Sequence, residues 1–342
     1  MAQFQAVAGK DSVTRLFRVY EDNDGINVLG QWTDDAYTNG TRLDYFYQPA
    51  HRPHGLLGRW APGAGEGSVD VYGWGIMQLM YTPNDLTRDS FQSNDYPYSG
   101  ALVATHTRYS YNPRKKYDIQ TEVVMGILGP ASLAHQTQSL VHRLTGFEQP
   151  MGWGTQFHNA MLLNVNLTAE KQLAAAGSSL RIIGGGQVYA GTMQNGAAVY
   201  PLILIGKMNP YFDGFFSQYT SPAQDGRGRK KWQIYFLAKP ELQYFLTNAL
   251  LEGGVFTTNP NKSNPAADKG ITLPQTYGFW QQQNPPKPPT IPALQRWVGS
   301  FTYGGVVSHG NFGVSLVQTV SSTTLQRLYC HDVGNISLYF GW

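Results

Sequence analysis

The chain has 342 residues, a net charge of +3 and only 14% charged residues, against about 25% for an average soluble domain. So weak and dispersed a positive charge gives no support to nucleic-acid binding, and the single cysteine, Cys330, excludes an internal disulfide and a thiolate metal cluster. No run of 18 apolar residues occurs, so a transmembrane helix is excluded as well.

Aromatic residues reach 13%, with 21 Tyr, 16 Phe and 8 Trp beside 38 Gly, yet mean hydropathy is only −0.32. One architecture reconciles these values. A membrane β-barrel turns only every second residue to lipid and gathers its Tyr and Trp in girdles at the two interfaces. A soluble aromatic-rich β-sandwich or propeller is the competing reading, and the lack of an internal repeat argues against the propeller. Met1 begins no recognisable signal peptide, so for an exported barrel the signal is expected to have been removed.

In chain order, strand-like alternation begins with Val13, Arg15, Phe17 and Val19 and continues with Leu43, Tyr45 and Tyr47. Further stretches lie near 71–81, 100–110, 118–128, 158–168, 180–190, 199–206, 231–238, 241–250, 296–307, 312–320 and 324–331. These are strands of barrel length, and an even count of twelve is expected. Cys330 falls in the last of these and reads as a small packing residue. Gly184-Gly185-Gly186 lacks the Gly-Lys-Ser of a phosphate loop and reads as a bend or a close approach within a strand. Arg227-Gly228-Arg229-Lys230-Lys231 reads as a solvated loop, and residues 252–295, with Pro285-Pro286-Lys287-Pro288-Pro289, as a long outer loop. From Asn335 the chain alternates to its last residue, with Ile336, Leu338, Phe340 and Trp342 on one face. A final strand with an apolar outer face and a terminal aromatic resembles those that close bacterial outer-membrane barrels. The whole chain, 1–342, reads as a single all-β domain, an antiparallel transmembrane barrel.

Residues 130–145 interrupt the pattern. They start with Pro130 after Gly129, stop at Gly146 and place Leu133, Leu140 and Leu144 at helical spacing. On this helix Gln138 and His142 share a face, with His135 near the same side. A histidine is suited to taking a proton near neutral pH. A second polar group is N-terminal: Glu21-Asp22-Asn23-Asp24-Gly25 and Thr33-Asp34-Asp35-Ala36-Tyr37-Thr38-Asn39-Gly40. Such hard oxygen donors suit Ca²⁺, although the spacing is not that of an EF-hand and two polar loops flanking a strand would look the same. A third, Tyr81-Thr82-Pro83-Asn84-Asp85 with Asn94 to Gly100, reads as Pro-containing loops. No Gly-x-Ser-x-Gly elbow and no zinc signature appear, which favours activated water over a serine nucleophile.

In order and spacing these stretches resemble the lipid A deacylase family of outer-membrane barrels. The likeness rests on Asn23-Asp24, Asp34 to Gly40, Tyr81-Thr82-Pro83, Asp95 to Gly100, Gly129-Pro130-Ala131, Gln138 to His142-Arg143, and Gly152-Trp153. The C-terminal half resembles the family only as barrel strands. The resemblance implies a twelve-stranded, Gram-negative outer-membrane barrel that hydrolyses the 3′-linked acyl ester of lipid A. It implies that His142 is the general base, that Gln138 places the water or the histidine, and that Asn23 and Asp24 lie beside a Ca²⁺. Thr38 would line the same pocket and Glu148 would be an acidic partner. A monomer in the outer membrane is expected, acting on lipopolysaccharide.

The chain departs from the family where Tyr96 stands in place of a common arginine, and no acidic residue is found near Ala160. Of the basic residues that could meet lipid A phosphates, only Arg88 and Arg52 offer themselves. Two other readings therefore stand beside the deacylase: an esterase acting on another acylated lipid, and a non-catalytic structural or pore barrel.

Overall fold

The structure, a computed structural model, describes residues 13–26, 36–50, 55–220, 232–254 and 291–342. Twelve antiparallel strands close on themselves: β1 (Arg15–Asn23), β2 (Ala36–Tyr47), β3 (Val69–Thr82), β4 (Ser99–Asn112), β5 (Tyr117–Leu128), β6 (Ala160–Ala176), β7 (Leu180–Gly191), β8 (Gln194–Lys207), β9 (Trp232–Asn248), β10 (Trp297–His309), β11 (Phe312–Ser321) and β12 (His331–Gly341). Each strand pairs with its neighbours in sequence, and β1 pairs with β12 from Leu16↔Gly341 to Asn23↔Gly334. Closure leaves no sheet edge, the condition for a β structure to survive in lipid.

The alternation read from sequence separates two surfaces. On β6, Met161, Leu163, Val165 and Leu167 are exposed on the outer wall while Ala160, Leu162 and Asn164 are buried. Inside, Arg18 binds Asp44, and Arg42 bridges Asp44 at 2.8 Å and Glu122 at 2.6 Å. Phe215 and Phe216 of a short helix, α3 (Phe215–Tyr219), enter from the end that carries both termini and pack with Phe46 and Tyr109. Side chains thus plug the lumen at that end, while a cavity of about 560 Å³, lined by Arg18, Tyr20, Tyr235 and Asn335 among others, remains within it.

Three connections at the terminal end are short turns, 113–116, 177–179 and 310–311, beside longer ones at 48–68 and 208–231, while 83–98 and 129–159 lie at the other end. By the usual asymmetry of such barrels the terminal end is periplasmic. There, α1 (Leu56–Trp60) packs outside the wall, where Leu57 and Ala61 cover Tyr72.

Several sequence expectations are corrected. The stretches 231–238 and 241–250 form one strand, β9, because Pro240 turns outward without breaking the register to β10. Residues 324–330 are not a strand. They form a turn held by the Leu294↔Leu325 bridge, and the last strand begins at His331. Cys330 is therefore exposed rather than packed. The helix divides into a 3-10 turn, Pro130–Ser132, and α2 (Ala134–Thr145), because Leu133 adopts a left-handed conformation between them. Asp34, Asp35, Arg52, the run Arg227 to Lys231 and most of the long loop lie outside the described residues. At the start of that loop the chain forms α4 (Ala249–Glu252).

Candidate active site on the outer wall

β1 ends at a hydrogen-bonded turn. Asn23 Oδ1 accepts the Gly25 N–H at 2.7 Å, and the Ile26 N–H reaches the Asn23 carbonyl at 3.1 Å. This is an Asx turn, in which an Asn side chain accepts from the N–H two residues on. The adjoining Asp24 is buried, and its N–H donates to the Thr38 carbonyl at 3.3 Å. Thr38 itself sits in a register shift of β2 between Tyr37 and Asn39. A bulge re-aims a side chain, and here the Thr38 hydroxyl meets that of Thr82 on β3 at 2.6 Å.

Helix α2 lies against the outer faces of β3 and β4. Gln78 on β3 donates to the Ser132 carbonyl at 2.7 Å. A Cβ on Gly100 of β4 would stand 2.3 Å from the Ala134 Cβ and 2.6 Å from the Ser132 Oγ, so only glycine admits the helix this close. The face turned to the wall is Ala134, Gln138 and His142, whereas Leu133, Leu140, Val141 and Leu144 are exposed. This inverts the soluble pattern, as an apolar face directed at lipid requires. Gln138 Oε1 accepts the Trp153 indole N–H at 2.7 Å. Trp153 is buried with Met80, Leu86, Tyr98 and Ala134. Trp153 and Gly100 were legible only as motif residues; that they seat the helix was not.

The helix ends at Gly146, whose positive φ of 79° reverses the chain while its N–H and that of Phe147 bond the His142 carbonyl. The reversal returns Glu148 to the helix, and its backbone carbonyl lies 2.5 Å from His142 Nδ1. A carbonyl only accepts, so Nδ1 carries the proton and the acceptor lone pair of the neutral ring is on Nε2. Glu148 thus contacts the histidine through its main chain, not its carboxylate.

Asn23, Asp24, Asn84, His142 and Glu148 line one cavity of about 450 Å³, with Leu86, Val141 and Phe147 as apolar wall. Neither Thr38 nor Gln138 lines it; both stand behind it, fastening Asp24 and α2. His135 is exposed, its ring 6.0 Å from Trp153. Arg88 is bound to Asp85 at 2.8 Å on the surface. The Thr87 hydroxyl and N–H, with Arg88, hold the Asp85 carboxyl below its ordinary range. Asp95 accepts from the Asn84 N–H and the Tyr329 hydroxyl, and Tyr96 is buried against the Thr324 N–H, so both tie outer loops together.

Among the described residues no three His, Cys, Asp or Glu side chains gather as a metal cluster. The cavity does present hard oxygens from two carboxylates, Asp24 and Glu148, and two amides, Asn23 and Asn84. Hard oxygen donors of this kind are the ones Ca²⁺ takes.

A closed twelve-stranded antiparallel wall with a lipid-facing apolar surface and a polar cavity at its outer end defines an outer-membrane β-barrel. The family model for outer membrane protein LpxR matches residues 1–342, and the chain belongs to that family, a Gram-negative outer-membrane one. Among solved structures it is similar to LpxR from Salmonella typhimurium, at a TM-score of 0.69 and 14% identity, covering 96% of this chain and 100% of that one. The β domain of the Bordetella autotransporter BrkA follows at 0.44 and 6%, covering 97% and 100%. No curated protein matches the sequence.

Proposed function

We propose that this protein hydrolyses an acyl ester of lipid A, the 3′-linked one, in the outer leaflet. The observation that carries the reading is the contact of His142 Nδ1 with the Glu148 carbonyl. That bond commits the Nδ1–H, in a cavity that also holds Asn23 and Asp24. Nε2 takes a proton from water as the water oxygen attacks the ester carbonyl carbon. It then returns the proton to the departing sugar oxygen, releasing a free fatty acid and a sugar hydroxyl. A Ca²⁺ would be held by Asn23 and Asp24, with Asn84 and Glu148 in reach of the same cavity, and when bound it supplies positive charge to the ester carbonyl oxygen.

The remaining residues position. Gln138, anchored by Trp153, sets the rotation of α2 and with it the aim of His142. Thr38 fixes Asp24 through its carbonyl. Val141 and Phe147 continue the apolar surface of the wall up to the cavity, so an acyl chain reaches the site without leaving the leaflet.

One observation favours a second substrate. Among the described residues no lysine or arginine lines the cavity, which suits an acylated lipid without phosphates. The same experiment separates the two. Purified protein in detergent is incubated with lipid A, with Ca²⁺ or with chelator, and the products are weighed by mass spectrometry. Loss of one 3′ acyl unit with Ca²⁺ only is the expected result. Unchanged lipid A in both, with hydrolysis of a phosphate-free acylated lipid, replaces the substrate.

A further inference from the structure

A second concavity, of about 830 Å³, opens on the lipid-facing wall far round the barrel from His142. Its floor crosses β6 to β9 where the outer face lacks large side chains: Ala169, Gly184 and Gly186 stand where Leu, Val or Met occur on the same faces elsewhere. Leu173, Val199 and Leu242 form its flanks and are exposed. At its far side the β8–β9 register runs to Val199↔Leu242 and resumes at Ile203↔Ala238. That unbroken count sets Pro201 directly opposite Pro240. Neither has an N–H, so this pair cannot form a ladder bond. The wall is recessed and weakly cross-linked where it meets lipid tails.

The groove lies toward the periplasmic end, where exposed Arg114, Lys115 and Lys171 stand beside the exposed Glu66 and the ion-paired Asp213. Lys171 lines the groove opposite Tyr117, with its Nζ over the Tyr117 ring and donating to the Lys115 carbonyl. Arg114 and Lys115 are exposed in the adjoining turn. The three carboxylates in the lining are turned inward: Asp118 accepts from Tyr109, Glu170 from Tyr200 and Tyr211, and Glu241 from Lys239, inside the barrel. Asp213 is bound to Lys116 at 2.7 Å.

We propose that this groove is a binding site for an anionic phospholipid of the inner leaflet, its acyl chain on the Ala169–Gly184–Gly186 floor and its phosphate at Lys171, Arg114 and Lys115. The volume suits one such chain, and a juxtamembrane cation attracts an anionic headgroup. The site is independent of the hydrolytic reading and stands or falls without it.

The test is native mass spectrometry of the full chain in detergent, offered phosphatidylglycerol or phosphatidylcholine with matched chains. One phosphatidylglycerol is expected to be retained, at an affinity about fivefold or more above phosphatidylcholine. Lys171→Glu should abolish that preference while leaving tail-driven retention of both. Gly186→Leu should abolish retention of both. The site admits the new side chain, since a Cβ there meets only the Ala198 carbonyl, at 3.7 Å. Ala169→Phe fills the same floor from β6 and serves if Gly186→Leu does not fold, as judged by heat-modifiable gel mobility. Equal retention of the two lipids by the unaltered protein overturns the proposal. So does undiminished retention of phosphatidylglycerol by a folded floor-filling variant, or a preference that survives Lys171→Glu.

Discussion

Replacing His142 by alanine removes a proton acceptor and very little of the barrel. His142 is 5% exposed, and its Nδ1–H bonds the Glu148 carbonyl. Its truncation leaves that carbonyl short of a donor beside a small void, at a cost of about 1–3 kcal/mol. The cost falls on α2 and its return loop, since the twelve-strand ladder does not pass through them. The chemical loss is larger. A positioned base contributes about 10²–10⁴ in rate, or about 3–5 kcal/mol of barrier. The assay is release of 3-hydroxylated fatty acid from lipid A in detergent micelles with Ca²⁺, per mole of protein that migrates as a folded, heat-modifiable band. A fall of about a hundredfold or more with an unshifted band is expected. A variant that keeps more than about a tenth of the rate would refute the base assignment and, with it, the argument from the Nδ1 tautomer.

Four further outcomes follow from the same geometry. Glu148→Gln keeps the backbone carbonyl that orients His142, so it should retain turnover at saturating Ca²⁺ while raising the Ca²⁺ needed for half activity by about tenfold or more, as a calcium titration will show. Chelation should stop hydrolysis reversibly and leave the folded band unchanged, with activity restored by added Ca²⁺; indifference to chelator would remove Asn23 and Asp24 from the mechanism. Gly100→Val puts a side chain where Ala134 and Ser132 already lie within 2.6 Å; it should lift α2 and abolish acyl release while the barrel still shows heat-modifiable mobility. Arg42→Met leaves the buried Asp44 and Glu122 with one fewer cation and should lower unfolding stability in urea by about 3–5 kcal/mol, without lowering the rate per folded molecule.

Much of the wall was legible because lipid outside and packing inside impose a period of two on every strand, and the alternation from Asn335 marked the strand that pairs with β1. Pro130 and Gly146 marked the helix, and the i,i+4 spacing placed Gln138 and His142 together. Two strand limits were not legible. Pro240 resembles a break, yet its missing N–H falls opposite Pro201, and residues 324–330 alternate without a partner strand. The orientation of α2 was hidden for a different reason. Helical spacing of its leucines does not say which medium they face; on the outer wall of a membrane barrel the apolar medium lies outside, so the polar face turns inward. That Glu148 meets His142 through its main chain depends on the left-handed turn at Gly146, which no side-chain chemistry encodes. Sequence by itself determined the barrel and named the residues of the proposed site. Only the tertiary structure decided that Asn23, Asp24 and His142 share one cavity, because the consecutive pairing of β1 to β4 carries the N-terminal turn round to the strands on which α2 rests.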